Sequence, residues 1–296
     1  MGEDEQPRLP DGRQFYSAAS QIGSRDRSVA WYDKTFSGVP ADARELLEKY
    51  SKIPPDEVEP HVLSMVGEDR LHRDKAWDIY PYPCIGQFKF LALRLYEQPS
   101  YATVLRRLQQ GAKYLDIGCC LGQDIRKLVM DGARPENLYG AELHAPFVDL
   151  SYELFRDHGL ASTFMEADAL VPPADDSPLS GLRGGVDFVH LGMVLHVFGP
   201  EKQRALLENC VALLRPERGS MVLGTAVGDV EGVQSPAGFY MHSDETFKAM
   251  WADISQRTGV KFDCRASLDD GLAILEAKKK YGYDRARRLI FEVERL

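Results

Sequence analysis

The run KYLDIGCCLGQD, residues 113–124, sets the tightest limit on how this chain can fold. Tyr114, Leu115 and Ile117 make a short apolar run that predicts a buried strand, with Asp116 near its end. Gly118 and Gly122 bracket a tight turn, and residues 123–132 predict a helix with Ile125, Leu128 and Val129 on one face. Strand, glycine turn and helix in succession aim the N–H groups of a helix N-terminus at an anionic or carboxylate-bearing ligand. Gly118 can take backbone angles closed to other residues and lets a ligand approach the main chain. Asp116, where the strand opens into the turn, suits a ligand with an amine or positive group and suits a bare pyrophosphate poorly.

From Tyr114 onward strands alternate with helices. Further strands are predicted at 137–143, 161–167, 186–192, 219–226, 261–268 and 288–294, with helices at 145–158 and 201–214. Ser243 reads as the cap of another helix, lined by Phe247, Met250, Trp251 and Ile254. Residues 175–185 are a loop by their Asp, Ser, Pro and Gly content, and 271–280 are helical or looped. Such alternation gives an α/β fold, a mostly parallel seven-stranded sheet with helices on both faces. Ligands of such sheets sit beyond the carboxyl ends of the strands.

Ahead of the sheet, residues 1–14 are polar and read as poorly ordered. Residues 15–110 read as a helical lid or substrate-binding extension, and 111–296 as the ligand-binding domain. Helices are predicted at 42–50, with Leu46, Leu47 and Tyr50 on one face, and at 60–73, with Val62, Leu63, Val66 and Leu71. A third runs from Ile85 through Phe88, Leu91 and Leu95, and a fourth spans 101–110. Tyr16, Trp31 and Tyr32 either pack on the body of the protein or cover a ligand; Tyr80 and Tyr82, pinned by Pro81 and Pro83, look most pocket-like.

The polar residues of the sheet fall in one place. Asp116, Glu142, Asp168 and the segment from His190 to His196 all lie at the ends of consecutive strands. Glu142 follows Gly118 by 24 residues, where a carboxylate can grip two ribose hydroxyls. The Asp168 carboxylate and the Ala169 amide can read the edge of an adenine ring. Composition narrows the partners. A formal charge of -9 disfavours nucleic acid. No run is long enough to span a bilayer, and the N-terminus lacks a signal-peptide profile. Of five cysteines, Cys84, Cys210 and Cys264 are scattered and adjacent Cys119 and Cys120 lack a metal-ligand pattern, which points to no metal and a reducing, cytoplasmic location. A homodimer is left open.

Asp116-x-Gly118-x-x-x-Gly122, with Glu142 and Asp168-Ala169 behind it, resembles the class I S-adenosylmethionine-dependent methyltransferases of Rossmann-like fold. The resemblance implies that Gly118, Gly122 and Gln123 approach the methionine part of S-adenosylmethionine and that Asp116 lies near its amine. It implies that Glu142 binds ribose, that Asp168 and Ala169 read adenine, and that His190 lies on the cofactor side. The family's middle glycine is Cys120 here, so that residue must tolerate the turn's angles. The segments 80–91 and 115–126, with Cys119-Cys120 ahead of Gly122-Gln123-Asp124, are similar to fungal meroterpenoid-pathway methyltransferases of the austinol, terretonin and andrastin type. That similarity implies methyl-ester formation on a carboxylate of a hydrophobic terpenoid intermediate, with S-adenosylhomocysteine as product.

A carboxylate is ionised at neutral pH and needs no strong base, so catalysis would be mainly alignment. A phenol or hydroxyl acceptor would need one, and histidine is the natural choice. His196, a few residues past the fourth strand, and His242, beside Tyr240, are the candidates for orienting an acceptor. Each serves equally as a loop or capping residue. His61, His72, His144 and His158 read as surface residues. Two other classes stay in play: an NAD-type oxidoreductase, whose G-x-G-x-x-G spacing is absent here, and a catalytically silent binding protein that keeps the fold.

Overall fold

The computed structural model describes residues 23–29, 31–66, 75–235, 238–271 and 283–296. Contacts divide the chain into two compact units that meet in sequence at Asp168 and Ala169.

The first unit begins with helices α1 (Ala41–Lys49), α2 (Val58–Val66), α3 (Lys75–Ile79), α4 (Pro83–Gly86) and α5 (Tyr101–Gln109). Strands β1 (Tyr114–Ile117), β2 (Leu138–Glu142) and β3 (Thr163–Glu166) follow, separated by α6 (Gln123–Met130) and α7 (Ala145–Phe155). β1 pairs in parallel with β2, and β2 with β3. All four residues of β1 are buried, as an apolar strand of a sheet covered on both faces requires. Helix α2 begins at Val58 with Pro60 in its first turn, where proline's missing N–H costs no helical bond. The rest of the predicted helix, including Leu71, lies outside the described residues, as do Tyr16 and His72.

The helix expected from Ile85 to Leu95 does not form. It stops at Gly86, Phe88 turns left-handed at φ 55°, and only a short 3-10 turn (Lys89–Leu91) follows. The far end of the segment is held from about 30 residues away. The buried Asp124 carboxylate accepts the N–H groups of Arg94 at 3.2 Å and Leu95 at 3.0 Å, which in a helix would bond their own chain. Two histidines read as surface residues are half-buried instead. His61 Nε2 lies 2.8 Å from the Leu154 carbonyl, and the His144 ring stacks on Tyr80 with centroids 4.7 Å apart.

The second unit holds β4 (Phe188–Gly192), α8 (Pro200–Leu213), β5 (Met221–Asp229), β6 (Val233–Gln234), β7 (Tyr240–Met241), α9 (Asp244–Thr258), β8 (Phe262–Asp269) and β9 (Ala286–Arg295). β4 and β5 are parallel; β9 runs antiparallel between β5 and β8. The strand order is β3-β2-β1-β4-β5-β9-β8, the expected seven-stranded sheet. The β6–β7 hairpin was not foreseen, because two-residue strands carry no periodic signal. The Ser243 cap is present as a full capping box: Ser243 Oγ accepts from the Thr246 N–H at 3.2 Å, and Thr246 Oγ1 accepts from the Ser243 N–H at 2.9 Å. Ser243→Ala is expected to destabilise the fold by about 1 kcal/mol in chemical denaturation; no change would mean that the box is dispensable. No described helix is long and apolar enough to cross a membrane.

Candidate functional site

The glycine turn of the first unit is built from three left-handed residues. Gly118, Cys120 and Gly122 have φ of 68°, 51° and 63°. Cys120 therefore takes the angles its place in the motif demands, at a cost of roughly 1–2 kcal/mol for a non-glycine residue. Bonds from both sides hold it there. The Gly118 and Cys119 N–H groups donate to the Ala141 carbonyl at 2.8 and 3.2 Å, and Gly122 N–H donates to the Cys119 carbonyl at 2.7 Å. The Cys120 N–H donates to Glu142 Oε2 at 3.0 Å. A hydrogen bond with the Cys84 thiol of α4, and then burial, lift the Cys120 thiol well above its ordinary range.

Glu142, at the end of β2, is buried and tied to that turn. Its other oxygen accepts the His144 N–H at 3.2 Å. Burial raises its pKa against the opposing pull of these backbone donors. Asp116 is likewise buried at the end of β1, whereas Asp168 is exposed. Gln123, first residue of α6, bonds the Ala92 carbonyl through Nε2 at 3.4 Å and leaves Oε1 buried without a partner.

Gly122 is irreplaceable for a second reason. A Cβ there would lie 2.5 Å from Arg126 Nη1 and 2.8 Å from Phe164 Cε1. Arg126 is fully buried; its Nε and Nη2 donate to the two Asp157 oxygens at 2.9 and 3.1 Å, and Nη2 also reaches Ser151 Oγ. Its guanidinium lies within 5.3 Å of the ring centroids of Tyr152, Phe155 and Phe164. The Asp157 carboxylate also accepts the Tyr50 hydroxyl at 2.7 Å. Gly122→Ala is expected to cost about 2 kcal/mol or more in a urea melt, through the clash and the left-handed backbone together; wild-type stability would contradict the packing.

The aromatic residues of the N-terminal region separate into two groups. Trp31 is core, and Tyr32 is packed edge-on against Trp77 at 4.9 Å. Tyr80 and Tyr82 pack on each other, on His144 and, for Tyr82, on Phe147. They therefore sit one residue pair from Glu142, and that carboxylate adds to burial in raising the Tyr82 pKa.

In the second unit His190 is fully buried in the middle of β4. Met193, just past that strand, is left-handed at φ 63°, and its N–H donates to the Thr225 carbonyl at 2.8 Å. His196 lies on a short 3-10 turn (Leu195–Val197) and is half-buried. Tyr240 begins β7, with its ring 4.6 Å from that of His242 in an edge arrangement. Gln203 of α8 fixes this corner by donating to the carbonyls of Phe198 and Tyr240, both at 2.8 Å. The Ala169 carbonyl accepts from Asn209 Nδ2 at 2.9 Å.

Comparison with known proteins fits both parts of the chain. Residues 31–91 match a family model described as the meroterpenoid methyltransferase N-terminal domain, and residues 115–217 match a methyltransferase domain. The O-methyltransferase atr3 of Stereocaulon alpinum is 41% identical over 279 residues, covering 92% of this chain and 77% of that protein. The O-methyltransferase phiE of a fungal species is 39% identical, covering 83% and 85%. The asnovolin E/chermesin D methyltransferase nvfJ of Aspergillus novofumigatus is 36% identical, covering 75% and 78%.

The chain belongs to the meroterpenoid methyltransferase family.

It is an S-adenosylmethionine-dependent O-methyltransferase, and the residues of its glycine turn suit that cofactor. Gln123 offers an unpartnered acceptor oxygen, Asp116 and Glu142 offer buried carboxylates, and the left-handed turn presents half-buried backbone without a side chain at Gly118. The N-terminal family segment is built into this methyltransferase's first unit through Tyr50, Tyr82 and Cys84. Sequence reasoning gives no role to Arg126 or Asp157, takes Asp124 only as part of a motif, and places His144 on the surface. A charged residue on a helix reads as solvated, and only its partners reveal it as buried.

Proposed function

We propose that this methyltransferase esterifies a carboxylate on a terpenoid or meroterpenoid intermediate of fungal secondary metabolism. The observation that carries the reading is the match of residues 31–91 to the meroterpenoid methyltransferase N-terminal domain, joined to a cofactor-type glycine turn. A relative of similar length is named for the meroterpenoids asnovolin E and chermesin D.

S-adenosylmethionine supplies a sulfonium methyl that is electrophilic without further activation. Glu142 would hold the ribose hydroxyls, Asp168 and the Ala169 amide the adenine edge, and Asp116 the methionine amine. Gly118, Gly122 and Gln123 would line the methionine part, with His190 on the cofactor side. His196 and His242 would orient the acceptor, and Tyr32, Tyr80, Tyr82 and Tyr240 would shield it from water, while Trp31 packs in the core. No metal enters this scheme, since an ionised carboxylate needs neither Lewis acid nor strong base. Dry surroundings favour a reaction in which opposite charges neutralise. The scheme is that of a cytoplasmic enzyme.

The deciding experiment supplies methyl-labelled cofactor and terpenoid acids, then treats the product with alkali. A methyl ester releases labelled methanol on saponification; a phenol or alcohol methyl ether keeps its label. Alkali-stable label would replace the carboxylate with a hydroxyl acceptor.

A further inference from the structure

The Glu142 carboxylate is held by a backbone donor on each oxygen. The Cys120 N–H donates to Oε2 at 3.0 Å, and the His144 N–H donates to Oε1 at 3.2 Å. Neither donor lies in a helix or strand. Cys120 sits left-handed in the glycine turn, and His144 is the extended residue ahead of α7. A carboxylate at a strand end can turn about its side-chain bonds, so its setting is only as fixed as these two residues.

One short stretch of the N-terminal family segment touches both of them. Tyr80 lies flat on the His144 ring, with centroids 4.7 Å and planes 18° apart. Tyr82 braces the same ring at 5.8 Å and stacks on Phe147 of α7. Two residues on, the Cys84 thiol bonds the Cys120 thiol. The stretch is stiff. Pro81 and Pro83 have a fixed φ, the Tyr82 N–H closes a tight turn on the Tyr80 carbonyl at 2.8 Å, and the Tyr82 carbonyl accepts the N–H groups of Ile85 and Gly86 at 3.0 and 3.1 Å. All of these residues belong to the first unit.

We propose that residues 80–84 set the Glu142 carboxylate for the cofactor's ribose, Tyr80 and Tyr82 acting through His144 and Cys84 acting through Cys120. They are positioning residues for cofactor binding, and the inference rests on the assignment of the ribose to Glu142. A carboxylate already aimed loses less freedom when the ribose hydroxyls arrive, and that raises affinity. The contacts to His144 use the tyrosine rings rather than the hydroxyls. The N-terminal family segment thereby carries part of the cofactor site.

Calorimetric titration of the intact enzyme with S-adenosylhomocysteine tests this. Tyr80→Ala is expected to weaken binding about tenfold, and Tyr80→Phe, which keeps the ring, recovers most of the loss. Cys84→Ala, a smaller change on the opposite flank, is expected to cost about threefold, and Cys84→Ser recovers part of it. The decisive measurement repeats Tyr80→Ala and Cys84→Ala in a Glu142→Ala background. A residue that works through Glu142 has nothing left to position there, so each second substitution is expected to change the affinity by less than about twofold. Residues that only support the fold give the same loss in both backgrounds, and that result overturns the proposal. Wild-type affinity in both Tyr80→Ala and Cys84→Ala overturns it as well. The two readings fail separately. Wild-type affinity in Glu142→Ala alone removes the ribose assignment and this inference with it. Equal losses in both backgrounds remove the positioning role and leave the ribose with Glu142.

Discussion

Asp157→Ala is expected to lower the stability of the enzyme by about 3–5 kcal/mol, the largest single effect among the residues described. Arg126 is fully buried, and Asp157 supplies its counter-charge through two bonds. Removing the carboxylate leaves a guanidinium in an apolar box of Tyr152, Phe155 and Phe164 and strips the Tyr50 hydroxyl of its acceptor. The paired replacement Arg126→Met with Asp157→Leu removes both charges and is expected to recover most of the loss, because desolvating an ion pair offsets much of its attraction. Urea denaturation of the two variants measures this directly. A loss under 1 kcal/mol for Asp157→Ala would show that water reaches the site. The same variant is expected to weaken cofactor binding, since Arg126 Nη1 lies 3.4 and 3.5 Å from the Leu121 and Gly122 carbonyls of the turn.

The second large effect falls on binding. Glu142→Ala removes the acceptor for two backbone N–H groups, one from Cys120 in the turn and one from His144 at the start of α7. It also removes the carboxylate assigned to the ribose. Bonds to a charged acceptor contribute about 1.5–3 kcal/mol each, so loss of the ribose contacts alone is expected to weaken S-adenosylhomocysteine by about 100-fold. Glu142→Gln keeps one accepting oxygen and is expected to fall between the two. Calorimetric titration at neutral pH gives the affinities. An affinity within threefold of wild type for Glu142→Ala would reassign the ribose contact to another residue.

Much of this architecture could be read from the chain. The strand and turn at 113–124, the acids at the ends of β1 and β2, and the Ser243 cap depend on residues close in sequence, where periodicity and turn chemistry act. Cys120 is the one departure from the glycine pattern, and it is left-handed like the glycines around it. What failed depended on distant partners. The apolar spacing from Ile85 to Leu95 is that of a helix, but Asp124 captures its backbone donors from another element. His144 lies between Leu143 and Ala145 in a short connection from strand to helix, an ordinary surface context, yet Tyr80 covers it. Arg126 sits among Ile125, Leu128 and Val129 with nothing in the local sequence to announce burial.

The Tyr50–Asp157 bond joins residues 107 positions apart, and the Asp124 latch on Arg94 and Leu95 spans about 30. On the ribosome, the leading segment leaves the tunnel well before its anchors exist. Tyr32 and Phe36 find Trp77 and Phe88 within the segment, but Tyr50 must wait until translation has passed Asp157. The early helices therefore gain their last anchors only after α7 has been made.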